Sequence, residues 1–304
     1  MVLNGMNSLD RLLGIVRAEG AAPVPERVAA IADAARARHG NGVAAVLAYG
    51  SALRERDDAS KMVDLYLLVD GYGEAGQSRW LALANRLLPP NVYYLEITHA
   101  GAKVRSKYAL VSLAQVEALV SPETLHPYFW ARFAQPTALA WARDAETAER
   151  VHRVLAQAIL TLTGEAWPLT EPEDPPEARW VRAFSETYRT ELRAEGPDRA
   201  RELYCTHSAR YDAIANGVDD GQEGRLDRAA ALRRWRRRRI LGKALSVLRL
   251  VKAAFTFQDG AAYLASKIEQ HSGVAVTLTD WQRRHPVLAS PGLALRLYRQ
   301  GAFR

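Results

Sequence analysis

The sequence predicts an α+β protein with a mixed-sheet head, a helical middle and a basic helical tail. Three observations carry this. Short apolar runs of strand length, bounded by turn residues, fall in the first 112 residues. Beyond them, apolar residues recur mainly at helical spacing. The positive charge is gathered late: Arg225 to Lys252 holds eleven Lys/Arg and one acid, Asp227, whereas the whole chain has 41 Lys+Arg against 34 Asp+Glu. The expected domains are therefore 1–112, 113–224 and 225–304.

The chain has 304 residues, 48% hydrophobic and 25% charged, which suits a folded globular protein and excludes a wholly disordered one. A single cysteine, Cys205, excludes an internal disulfide framework and a cysteine-based zinc cluster. The seven histidines are scattered without His-Glu-x-x-His spacing, which argues against a zinc hydrolase. The start, Met1-Val2-Leu3-Asn4-Gly5, lacks a basic region followed by a long apolar core, so no signal peptide is expected. No apolar run reaches the roughly 18 residues that a spanning helix needs.

Along the chain, residues 9–40 have helical spacing through Leu12, Leu13, Val16, Val28, Ile31 and Ala35. Ala44 to Tyr49 is a short apolar strand closed by Gly50-Ser51, and Val63–Val69, Asn91–Thr98 and Val104–Ser112 are three more strands. Ala114–Val120 and Ala145–Leu162 are helices, the second capped by Asp144. The acidic, proline-rich stretch Thr170 to Glu177 is a linker, residues 179–215 return to helical spacing, and 216–224 is a loop.

The chemistry is concentrated in Tyr49-Gly50-Ser51 and in Asp64, which opens the next hydrophobic strand. A strand that ends in Gly-Ser and enters a helix leaves backbone N–H groups free for phosphate oxygens, and glycine lets the backbone approach closely. The following strand brings a carboxylate to the same edge, where it can hold Mg2+ on a nucleoside triphosphate. This is the core pattern of the polymerase-β-like nucleotidyltransferase fold. That pattern usually has two acids separated by one residue, but here position 66 is Tyr66. Asp70 shares the strand face of Asp64 but lies roughly 20 Å along a continuous strand. Glu96, on another strand, is the candidate second metal ligand beside Asp64.

A linked set of motifs resembles the phosphatidate cytidylyltransferases of the mitochondrial translocator-maintenance type. It runs Tyr49-Gly50-Ser51, then Ser60 to Asp70, Asn91-Val92-Tyr93-Tyr94, Lys107 to Ser112, and Tyr128-Phe129-Trp130-Ala131-Arg132 through Pro136. The resemblance covers most of the first 165 residues and more loosely 235–270. It implies a Mg2+-dependent enzyme that makes CDP-diacylglycerol and pyrophosphate from CTP and phosphatidic acid. It implies triphosphate binding by Tyr49, Gly50 and Ser51, Mg2+ on Asp64 with Glu96, and phosphate neutralisation by Lys107 and Arg132. The region Ser78 to Asn85 is shorter than in that family and has no histidine, and Ala109 stands where the family has glycine.

The tail reads Arg233-Arg234-Trp235-Arg236-Arg237-Arg238-Arg239, then Ile240 to Phe255 with apolar residues at helical spacing and Lys243 on the charged side. It has the character of a basic amphipathic helix lying on an anionic membrane. A surface helix packed on the core is the plainer reading. Nucleic acid is a third, against which stands the lack of aromatics through the basic run. A second basic stretch runs from Arg283 to Arg304. The expected location is cytoplasmic and peripheral on the inner face of the cell membrane. Two alternatives stay open: a transferase acting on a soluble phosphate or hydroxyl, and a non-catalytic membrane- or nucleic-acid-binding adaptor with a degenerate transferase fold.

Overall fold

The computed structural model describes residues 8–54, 61–192, 197–218 and 227–256, together with Thr279. The C-terminal basic stretch from Arg283 and most of the loop expected at 216–224 lie outside the described residues. The chain opens with α1 (Ser8–Gly20) and α2 (Glu26–His39), where periodicity predicted one helical stretch. Pro23 and Pro25 separate them, because proline lacks the N–H a helix interior needs and disfavours helical backbone in the residue before it. β1 (Val43–Tyr49), α3 (Ser51–Arg54), β2 (Val63–Val69), α4 (Arg79–Leu87), β3 (Asn91–His99) and β4 (Ala102–Ser112) follow. Next come α5 (Leu113–Leu119), α6 (Trp130–Phe133), β5 (Thr137–Ala142) and α7 (Ala145–Ala166). The last described elements are α8 (Pro176–Tyr188), α9 (Pro197–Thr206), α10 (Ser208–Gly217) and α11 (Arg228–Thr256).

The architecture is mixed α+β. Among the described residues five strands form one open mixed sheet in the order β3-β4-β2-β1-β5, with β2 and β4 parallel and the other neighbours antiparallel. The four expected strands are present. The fifth, β5, is an alanine-rich run with little intrinsic strand preference, and it joins the sheet by pairing with β1. It draws the sheet past residue 112 into the stretch that was expected to be helical.

Strand alternation feeds two cores. Leu47, Tyr66, Leu68 and Val111 face a helical half that includes α1, α7 and α8, while Val46, Leu65, Leu67 and Leu110 face Val28, Ile31 and Ala35 of α2. β1 and β2 are central and buried on both faces, which is why their sequences are nearly unbroken apolar runs. α7 starts where the sequence predicted: Asp144 Oδ1 accepts the Thr147 N–H at 2.7 Å.

The arginine run is only partly a surface. Trp235 is fully buried, and its Nε1 donates to the Glu165 carbonyl at 2.7 Å. Arg234 and Arg238 each place a guanidinium nitrogen 2.6 Å from a Glu165 oxygen. Arg239 Nη2 lies 2.6 Å from Glu186, a fully buried acid that Arg189 and Arg182 also pair at 2.8 and 3.2 Å. The expectation that the whole run meets lipid therefore needs correction. Arg234, Trp235, Arg238 and Arg239 fasten α11 to α7 and α8, because buried Glu165 and Glu186 need these cations. Arg233, Arg236, Arg237 and Lys243 face outward. No described helix is long and apolar enough to cross a membrane.

Candidate functional site

β1 ends at Tyr49 and the chain turns at Gly50, whose φ of +84° lies in the left-handed region that glycine enters at little cost. The turn delivers the backbone into α3 at Ser51. Pairing registers then align one residue from each strand: Thr137 with Tyr49, Tyr49 with Asp64, Asp64 with Lys107, and Lys107 with Tyr94. This row crosses the whole sheet. By alternation it lies on the face of Leu47, Tyr66 and Ala109, toward the helical half.

The Asp64 carboxylate leans toward the turn, so that a Cβ on Gly50 would sit 3.2 Å from Oδ2. Lys107 Nζ lies 3.9 Å from Oδ1 on the other side, and both side chains are partly open to solvent. The glycine turn, the aspartate and the lysine that the sequence singled out therefore meet at one place.

Arg132 is brought to the row by α6. Its guanidinium carbon lies 5.6 Å from the Tyr49 ring centre and 5.5 Å from that of Tyr128, and Nη2 is 4.0 Å from Glu191. Its Nε is buried without a hydrogen-bond partner among the described residues. A second guanidinium arrives from α11, with Arg249 lying 4.1 Å from the Tyr128 ring centre. Arg249 Nε donates to the Pro89 carbonyl at 3.1 Å. Burial pulls the Arg249 pKa down. Two half-buried cations thus bear on one phenol, an arrangement that favours an anion.

His126 sits beside this pair. Its Nδ1 accepts the Tyr128 N–H at 3.2 Å, and Nε2 lies 3.3 Å from Arg249 Nη1. Burial, then Arg249, pushes the imidazole pKa down to about 3, so the ring is neutral. Beyond Arg249 lies a cavity of about 350 Å3, walled by Pro90, Val92, Tyr128, Arg249, Leu250 and Lys252 among others. Lys252 Nζ donates to the Leu88 and Pro90 carbonyls at 2.5 and 2.6 Å and to Asn91 Oδ1 at 3.1 Å. Tyr128 and Arg249 had no assigned role in the sequence reading. Arg249 sits in a basic helix whose local pattern gives no sign of which cation turns inward.

Tyr66 stands where a second carboxylate would share the face of Asp64. It is fully buried, 5.3 Å from the Tyr49 ring and 4.9 Å from that of Phe133, and burial raises its pKa, which keeps the phenol protonated. Glu96 does not reach Asp64. It lies on β3, with β4 between, opposite Arg105. Its Oε2 takes hydrogen bonds from Tyr94 and Arg105, both at 3.1 Å, and Lys103 Nζ is 3.1 Å from Oε1. Burial raises the Glu96 pKa, but those three partners outweigh it and hold the carboxyl below its ordinary value. Asp70 is ion-paired with Arg143 at the far end of β2.

Among the described residues no three His, Cys, Asp or Glu side chains gather as a metal site. Mg2+ asks less of a protein, taking one or two carboxylates and filling its shell with phosphate oxygens and water. Asp64, a hard and partly open oxygen donor beside a glycine turn, fits that role alone. Comparison of the chain with protein-family models and with curated proteins finds no match.

Proposed function

We propose that the chain is a Mg2+-dependent nucleotidyltransferase that makes CDP-diacylglycerol and pyrophosphate from CTP and phosphatidic acid at a membrane surface. In this reading the mixed sheet is a polymerase-β-like nucleotidyltransferase head, and the protein is cytoplasmic and peripheral on the inner face of the cell membrane. One observation carries the proposal: the left-handed Gly50 turn packs against the Asp64 carboxylate, with Lys107 on the neighbouring strand.

Mg2+ bound by Asp64 would neutralise triphosphate charge and align the phosphates for in-line displacement. The chain's own groups do the rest. The Gly50 turn lets phosphate oxygens approach the backbone, while Lys107 and Arg132 hold them by charge-assisted contacts. Arg249 adds a second guanidinium near Tyr128. A phosphatidate oxygen attacks the α-phosphorus of CTP. The new P–O bond forms as the α–β bond breaks, and pyrophosphate leaves with the electron pair. The acceptor is already ionised, so no general base is required; positioning and charge neutralisation carry the rate. The partly buried Tyr49 and fully buried Tyr66 phenols, both pushed up in pKa by desolvation, stay protonated.

The test uses purified protein, Mg2+, CTP and vesicles that contain phosphatidic acid. Pyrophosphate release is expected, with loss in Asp64→Asn. Absence of turnover beside an active control enzyme rejects the reading. Tyr66 in place of a second acid favours a second reading, a degenerate transferase that binds nucleotide as an adaptor. Binding of Mg2+-CTP without turnover on lipid, soluble phosphate or hydroxyl acceptors would select it. Turnover on a soluble acceptor alone would keep the chemistry and remove the lipid.

A further inference from the structure

α4 is built inside out for a water-facing helix. Its inward side is small and polar: Ala84 and Asn85 are buried, Asn85 Nδ2 donates to the Leu110 carbonyl at 2.8 Å, and the Leu81 carbonyl accepts from Asn91 Nδ2 at 3.0 Å. Its outward side carries the large apolar groups, with Trp80, Leu83 and Leu87 at 63%, 48% and 75% exposure. Arg79 and Arg86 share that exposed side, and the helix contains no acid. Residues 79, 80, 83, 86 and 87 are one helical face. An amphipathic helix in a soluble protein normally turns this face inward.

α11 continues the same chemistry. Arg249 and Lys252 fasten it to the carbonyls of residues 88–90, directly after α4, so the two helices adjoin there. Near that seam Val247, Leu248, Leu250 and Val251 are exposed, and farther along α11 so are Arg233, Arg236, Arg237 and Lys243. Trp and Leu flanked by arginine, without acid, suit the boundary between headgroups and acyl chains.

We propose that the outward face of α4 is a docking surface for an anionic lipid bilayer, with Trp80, Leu83 and Leu87 entering the acyl boundary and Arg79 and Arg86 meeting headgroup phosphates. The partner rests on the membrane reading above, but the surface does not depend on the transferase chemistry. It replaces Trp235, which the core takes up, as the interfacial aromatic.

The experiment is co-sedimentation of the full chain with phosphatidylcholine vesicles, with and without phosphatidylglycerol. Wild type is expected to bind the anionic vesicles at least tenfold more tightly. Trp80→Ser with Leu87→Ser, and separately Arg79→Glu with Arg86→Glu, should each cost about tenfold or more on anionic vesicles. Unchanged affinity overturns the proposal. So does a lowered melting temperature at unchanged affinity, which would mean that this chain covers the face itself. A dimer in sedimentation velocity that the variants dissolve, again at unchanged vesicle affinity, would make the face a self-association surface. Turnover with short-chain, monomeric phosphatidic acid separates the two proposals. If wild type shows none while vesicle binding still depends on Trp80 and Leu87, the chemistry fails and the docking face stands.

Discussion

Gly50 and Asp64 pack so closely that a Cβ on residue 50 would lie 3.2 Å from the Asp64 Oδ2. Residue 50 also holds a φ of +84°, which costs an L-residue about 1–2 kcal/mol. Gly50→Ala is therefore expected to destabilise the fold by about that amount and to push the carboxylate from its place. A displacement of this kind can cost about 100-fold in turnover. Urea unfolding reads the first effect, and Mg2+-CTP titration with pyrophosphate release reads the second. Unchanged nucleotide binding in a strained but folded variant would separate the turn from the site.

Arg249 tests whether the second guanidinium serves a ligand or the fold. It is half-buried, lies 4.1 Å from the Tyr128 ring centre, donates a hydrogen bond to the Pro89 carbonyl and has Nη1 3.3 Å from His126 Nε2. Arg249→Met keeps the apolar stem and removes the charge. Affinity for CTP or pyrophosphate is expected to fall by about 1.5–3 kcal/mol, roughly tenfold to a hundredfold, the range of a charge-assisted hydrogen bond. Stability should change little, since the cost of burying a cation disappears with its contacts and Lys252 still ties α11 to residues 88, 90 and 91. Isothermal titration and urea unfolding on the same variant decide: intact affinity with lost stability would make Arg249 a strut for α11.

The sequence carried the head better than the tail, for reasons of locality. β1 and β2 are short apolar runs closed by turn residues, and the adjacency of Gly50 and Asp64 follows from pairing those two strands at their common edge. β5 escaped because half of Thr137–Ala142 is alanine, and only its pairing with β1 makes it a strand. Glu96 was expected near Asp64, but Arg105 and Lys103, its partners on β4, hold it away. The arginine run misled because its acids, Glu165 and Glu186, sit on α7 and α8, far off in sequence. Nothing within residues 233–239 marks which arginines turn inward. The same holds for Arg249 and Lys252.

Two glycines in helices should respond to alanine in opposite directions. In α7, Gly164 is exposed with open space where a Cβ would go. Gly164→Ala is expected to stabilise by about 1 kcal/mol, the ordinary helix preference. In α11, Gly242 is buried where the helix crosses Thr190: a Cβ there would lie 2.5 Å from the Thr190 carbonyl oxygen and 2.8 Å from its Cβ. Backbone cannot move aside cheaply, so overpacking outweighs the helix gain, and Gly242→Ala should destabilise by about 1–3 kcal/mol. Parallel urea melts check both signs. A stabilised Gly242→Ala would show that α11 does not cross residue 190 this closely.

His126 gives the fold a predictable acid sensitivity. Its pKa is lowered from 6.5 to about 3 by burial and by Arg249. Nδ1 already accepts the Tyr128 N–H at 3.2 Å, so a proton there would face a donor. As pH falls below 6.5 the unfolded chain takes up a proton that the native ring refuses until about pH 3. The unfolded state then binds more protons, and stability falls with pH across that window. His126 stabilises the native state fully above pH 6.5, and at pH 5 it should have lost about 2 kcal/mol of that contribution. His39 and His152 are lowered in the same direction, so the total slope does not isolate one ring. His126→Asn does, because an amide oxygen can still accept from Tyr128 and does not titrate. Between pH 7 and pH 5 the wild type should lose about 2 kcal/mol more than this variant in urea unfolding. Equal losses would mean that the ring is protonated in the native state, and Arg249 would then not lie where it does.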